Sequence, residues 1–121
     1  MIVKYKWGEK DYMEYSESDW KLFKERIVEW QENYINKLLQ GYMELLSSSK
    51  SAGEKFYLLK ERVEKDKKNP GVVVEKSRSK IFVNIINLIN FNVITVDDLD
   101  GFSDELKQDV SVMLKIMKKQ R

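Results

Sequence analysis

The chain has no cysteine and no histidine, a single proline, and five glycines that stand alone at positions 8, 41, 53, 71 and 101. Without cysteine there are no disulfides, thiolate metal sites or thiol nucleophiles. Without histidine the commonest general base and transition-metal ligand are missing, and no imidazole-based triad exists within the chain. Scattered glycines exclude phosphate-cradling loops, since neither the dinucleotide fingerprint nor the P-loop spacing occurs. No serine stands in a nucleophile elbow. Long hydrophobic runs are missing too: the most apolar stretch, 81–94, is interrupted by Asn84, Asn87, Asn90 and Asn92, which makes it too polar to span a bilayer. The first residues hold no apolar core of signal-peptide length. With the lack of cysteine, this sets the expectation of a cytoplasmic protein without membrane contact.

What remains is a charged and apolar chain. Of 121 residues, 42% are hydrophobic and 35% charged, with 22 bases against 20 acids. That length suits one domain able to bury a core without staples. High but balanced charge points to helices with solvated faces of mixed sign, not to disorder.

The pattern predicts a mainly α fold: a compact bundle of three to four helices, with residues 1–17 forming a small β-hairpin or an extended aromatic arm. In that arm Val3, Tyr5 and Trp7 alternate with Lys4 and Lys6 before a turn-like Gly8–Asp11. The first helix is predicted over 19–46. Ser16 and Asp19 stand at capping-box spacing, and Trp20, Phe23, Ile27, Trp30, Tyr34, Leu38, Tyr42 and Leu45 recur every three or four residues, widened by Ile35, Leu39 and Leu46. A second helix is predicted over 52–68, opened by Ser51 and Glu54, with Phe56, Leu59 and Val63 as its apolar face and Asn69-Pro70-Gly71 as its stop. A third is predicted over 74–90, apolar over so wide an arc that it should be central. The run Val72–Val74 fits either a strand or that helix's first turn. Thr95 and Asp98 repeat the box, and Ser103 caps a last helix over 104–119.

Candidate chemistry is sparse. Asp97, Asp98, Asp100 and Gly101 invite an EF-hand reading, with Gly101 at the loop's sixth position. Position one would then be Val96 and position twelve Lys107, so two essential ligands are missing and helix capping explains the acids. No catalytic, cofactor-binding or metal-ligating residue is assigned, no cofactor is implied, and the chain is not expected to be an enzyme.

Two surfaces are candidates for binding. Residues 47–80 carry ten bases and five acids, against seven and nine in 1–46 and five and six in 81–121. The excess concentrates in Lys65, Lys67, Lys68, Lys76, Arg78 and Lys80, a cluster able to meet phosphates, though Glu61, Glu64, Asp66 and Glu75 are interleaved. An isoelectric point near 8.6 is low for a dedicated nucleic-acid binder. The second candidate is aromatic. Nine of the 14 aromatics lie in the first 42 residues, and Tyr5, Trp7, Tyr12 and Tyr15 fall off the helical stripe. Tyr and Trp are favoured interface anchors, and the other reading is that the arm folds back and buries these rings in its own domain.

The leading expectation is therefore a non-enzymatic cytoplasmic protein-binding module: an adaptor, regulator or inhibitor with a protein partner. A nucleic-acid-binding regulator is the alternative, and a homodimer stays open. No family's motif stands in the sequence. In style, rich in Lys, Ile and Asn, it resembles small helical proteins carried by phages and mobile elements of AT-rich bacteria, which implies no residue roles.

Overall fold

A computed structural model describes residues 15–120 of the chain. The predicted N-terminal hairpin lies outside the described residues, apart from Tyr15. The fold is mainly α, with four helices and no strand among the described residues.

Helix α1 is Glu17–Leu46, 30 residues long. Ser16 is its N-cap, and the Ser16 hydroxyl accepts the Asp19 N–H at 3.1 Å. The predicted box is only half formed, because the Asp19 carboxylate turns to another helix. Oδ1 accepts the Ser103 N–H at 2.8 Å and Oδ2 accepts the Ser103 hydroxyl at 2.6 Å. One buried carboxylate thereby serves the positive ends of two helix dipoles, α1 and α4.

Helix α2 is Ala52–Asp66. Its box is complete: the Ser51 hydroxyl accepts the Glu54 N–H, and the Glu54 carboxylate accepts the Ser51 N–H. The helix stops two residues short of the predicted 68. Asn69 captures the Gly71 N–H with its side-chain oxygen at 2.7 Å and draws the chain into a turn.

The third helix begins later than expected. Residues 74–80 do not belong to it: α3 is Ile81–Asn90, entered through a 3₁₀ turn at Arg78–Lys80. Val72–Val74 is neither strand nor helix. The Asn84 side-chain amide donates to the Glu75 carbonyl at 2.8 Å and so holds the preceding segment extended along the helix it would otherwise have joined. As expected from its wide apolar arc, α3 is central, with Ile81, Phe82, Asn84, Ile85, Ile86 and Leu88 all buried.

A second 3₁₀ turn, Val96–Leu99, is closed by the Thr95–Asp98 box. Gly101 follows with φ +95°, where a side chain would be strained and would press on Leu22 and Arg26. Helix α4 is Asp104–Lys119, capped by the Ser103 hydroxyl on the Leu106 N–H.

The core joins α3, α4, the second 3₁₀ turn and only the first half of α1. Phe23 and Ile27 are fully buried there, against Ile81, Phe82, Ile85, Leu88, Leu99, Leu106 and Val110. Trp20, Phe23, Trp30 and Phe102 form a chain of rings with successive centroids 6.3 Å apart. Such pairs add about 0.5–1.5 kcal/mol each beyond their buried area. The second half of α1 and all of α2 lie apart from this cluster as a helical hairpin, and α2 has no buried residue.

Candidate functional site

Of the two sequence candidates, only the basic cluster lies wholly within the described residues. Tyr5, Trp7 and Tyr12 lie outside the described residues. Tyr15 is corrected: it is no exposed anchor but is 3% exposed, stacked on Phe82 with centroids 6.5 Å apart. Its hydroxyl donates to Asp109 Oδ2 at 2.7 Å. Burial first, and then the Asp109 carboxylate, push the phenol far above its ordinary value.

That shift gives a pH prediction. The unfolded chain releases the Tyr15 proton near the ordinary value of 10.0, while the folded chain keeps it. The stability linked to this proton is therefore complete below pH 10 and is lost as pH rises beyond it. Tyr42 adds to the same trend. Urea midpoints measured between roughly pH 8 and 11 should fall on the alkaline side, and Tyr15→Phe should flatten the fall even though it lowers the neutral-pH value. An unchanged alkaline slope in the variant would contradict the buried phenol.

The six basic residues are dispersed. Arg78 clamps the start of α1: Nη1 bonds Glu17 Oε1 at 2.7 Å and Nη2 donates to the Tyr15 carbonyl at 3.3 Å. Lys67 pairs with Glu64 at 2.9 Å, which holds that carboxyl below its usual range. Lys76 is exposed and Lys80 half-buried. Only Lys65 and Lys68 come together, on a polar cleft of about 470 Å³ shared with Asp66, Tyr34, Asn69, Asn90, Phe91 and Asn92. Of the acids near Gly101, one is taken up locally. Asp98 caps Thr95, and Arg26 donates to the Asp98 carbonyl at 3.1 Å. Among the described residues no group of three or more acids is placed to hold a metal ion, and no helix is long and apolar enough to cross a membrane.

The distinctive surface is the one sequence reasoning took for core. On α2, Phe56 is 65% exposed and Val63 41%. Tyr57 stands edge-on to Phe56 at 5.4 Å. On α1, Ile35, Leu39, Tyr42 and Leu46 recur at spacings of four, three and four. Leu38 stands beside this stripe, and Leu39 and Leu46 are each 48% exposed. Between the two helices lies a groove of about 150 Å³, walled by Ile35, Leu38, Leu39, Tyr42, Val63 and Val72, with Asp66 and Lys67 at its edge. Leu46 lies two helical turns beyond Leu39, and Phe56 two turns before Val63. The same walls therefore continue toward the hairpin tip.

Polar bonds hold this hairpin shut without covering its face. Tyr42 donates to Asp66 Oδ2 at 2.5 Å, and its pKa is pushed up to about 12 by desolvation first and by that carboxylate second. Arg62 donates to the Gly41 carbonyl, Gln31 to the Pro70 carbonyl and Asn69 to the Tyr34 hydroxyl. Gly71 lies flat against the Tyr34 ring, where a Cβ would collide with ring carbons. The signal for this surface was present in the sequence: a helix apolar at 34, 38 and 45 and again at 35, 39 and 46 has a stripe wider than one neighbour covers. Set beside known protein families, curated proteins and solved structures, the chain matches none of them.

Proposed function

We propose that the chain is a non-enzymatic protein-binding module of the cytoplasm, an adaptor, regulator or inhibitor that docks an apolar helical surface along its α1–α2 hairpin. One observation carries the reading: Leu39 and Val63 line one groove and, with Leu46 and Phe56 two turns along the same helices, stay 41–65% exposed on a hairpin whose α2 has no buried residue. Exposed apolar side chains scattered singly need no explanation, but a contiguous groove of them does. The want of histidine and cysteine supports the non-enzymatic part of the reading.

The test compares capture by tagged full-length chain with capture by the Phe56→Asp/Val63→Asp double variant, both with nuclease present. A stoichiometric protein retained by the first and lost by the second is the expected result. The variant should keep its helical circular dichroism, because both positions are exposed. Capture that ignores the substitutions would overturn the hairpin face as the docking surface. The alternative, a nucleic-acid-binding regulator, draws on the Lys65–Lys68 cleft with its amides and the exposed ring of Phe91. It requires binding that falls steeply with salt.

A further inference from the structure

We infer that the occupant of the hairpin groove is a second copy of this chain, two hairpins closing face to face into a four-helix bundle. The inference rests on the reading of this face as a docking surface.

Length is the first argument. The free half of α1, residues 31–46, and the 15-residue α2 are nearly equal. Each helix of one hairpin therefore meets a helix of matching length in the other, as a bundle requires. An isolated helix of about 15 residues is marginal in water and depends on packing its apolar face. The face that α2 leaves open is supplied with an identical, equally open face by a twofold partner.

Charge is the second argument, and it selects the arrangement. On the α1 rim, Glu32 is the charged residue beside the groove, one turn before Asn36 and seven residues before Leu39. At the end of α2, Lys67 lines the groove beside Asp66, whose carboxylate is taken by Tyr42, and Lys60 stands exposed four residues after Phe56. A twofold axis running along the hairpin lays α1 of one copy antiparallel over α2 of the other. It thereby sets the acidic rim against the basic one. The alternative axis, across the hairpin, sets α1 on α1 and α2 on α2 and places the basic rims together. Lys67 also bridges Glu64 within its own helix, but both side chains are 57% exposed, so that pair is readily exchanged for one across the interface.

Area is the third. The open side chains leave on the order of 400 Å² of apolar surface per copy, enough to mark a docking patch on a monomer. Two such faces with their rims bury roughly 1,200 Å², the lower edge of specific interfaces. This predicts a reversible dimer, not an obligate one.

The experiment is sedimentation equilibrium of the full 121-residue chain between roughly 1 and 200 µM. A concentration-dependent monomer–dimer equilibrium is expected. Phe56→Asp/Val63→Asp should weaken it roughly tenfold or more, since substitutions at a buried centre remove most of the binding energy, and circular dichroism should report an unchanged fold. Lys67→Glu should also weaken the dimer, and Glu32→Lys in the same chain should restore it. Restoration supports the α1-over-α2 arrangement, and failure to restore overturns it. A wild-type chain that stays monomeric throughout the range, or a dimer indifferent to the double substitution, overturns the inference. A monomer whose captured protein is lost on Phe56→Asp/Val63→Asp removes the second copy but keeps the docking face. A monomer whose capture is also indifferent removes both.

Discussion

Replacing Asp19 with alanine is expected to lower the folding free energy by about 2–4 kcal/mol, read as a drop in the urea midpoint with little change in slope. The carboxylate is 2% exposed and receives two bonds from Ser103, one from the backbone N–H and one from the hydroxyl. Truncation leaves both donors of the half-buried Ser103 without their acceptor and removes the negative charge that faces the N-terminal ends of α1 and α4. The residue is also isolated from the hairpin groove, so the loss should appear in stability and not in docking. Asp19→Asn separates the contributions. Its amide oxygen still accepts the Ser103 N–H, but its NH₂ cannot accept the hydroxyl proton, so about half the loss should remain. Equal stability of the wild type and the alanine variant would mean that the two helix starts are not tied together here.

The second large effect is Phe82→Ala, with an expected cost of roughly 3–5 kcal/mol. That is a large part of the total for a domain whose stability is typically about 5–15 kcal/mol. Phe82 is fully buried at the start of α3, with the Tyr15 ring stacked on it. Phe56→Ala is the control. Its ring is 65% exposed, so its loss should change stability by no more than about 0.5 kcal/mol. Urea titrations of both variants decide the matter. Similar losses at the two positions would place α2 inside the core and contradict the open hairpin face.

These two phenylalanines also mark how far the sequence could be read. Both stand on regular apolar stripes, and the spacing that placed each on a helix was sound. Helix α1 begins at Glu17 and ends at Leu46, α2 begins at Ala52 and α4 spans Asp104–Lys119, because serine caps and stripe periodicity are local signals. Periodicity does not say what a stripe meets. The face of α2 was legible as apolar, but whether a later element covers it depends on how the chain turns at Asn69–Gly71, which periodicity does not report. The same limit explains the start of α3. Residues 74–80 contain nothing that forbids helix; a bond from Asn84 to the Glu75 carbonyl, nine residues back, ties the segment before the 3₁₀ turn to the side of α3 instead. Tyr15 was misplaced for a related reason. Its partner Asp109 lies 94 residues away, and no local pattern announces such a pair. Within the basic cluster, proximity in sequence did not become proximity in space, because Arg78 is drawn toward Glu17 while Lys65 and Lys68 face the end of α3.

The continuity of α1 has a mechanical consequence. Its 30 residues contain no proline, so no break separates the half clamped in the core from the half that carries the groove. From Trp30 to Leu46 the free half extends about 24 Å at 1.5 Å per residue, so a tilt of about 5° at the clamp displaces the tip by roughly 2 Å. The helix is thus a lever whose fulcrum is the ring chain of Phe23, Trp30 and Phe102. A repacking too small to disturb the core would be magnified at the hairpin tip, and a load applied at the tip would be felt as torque on those rings.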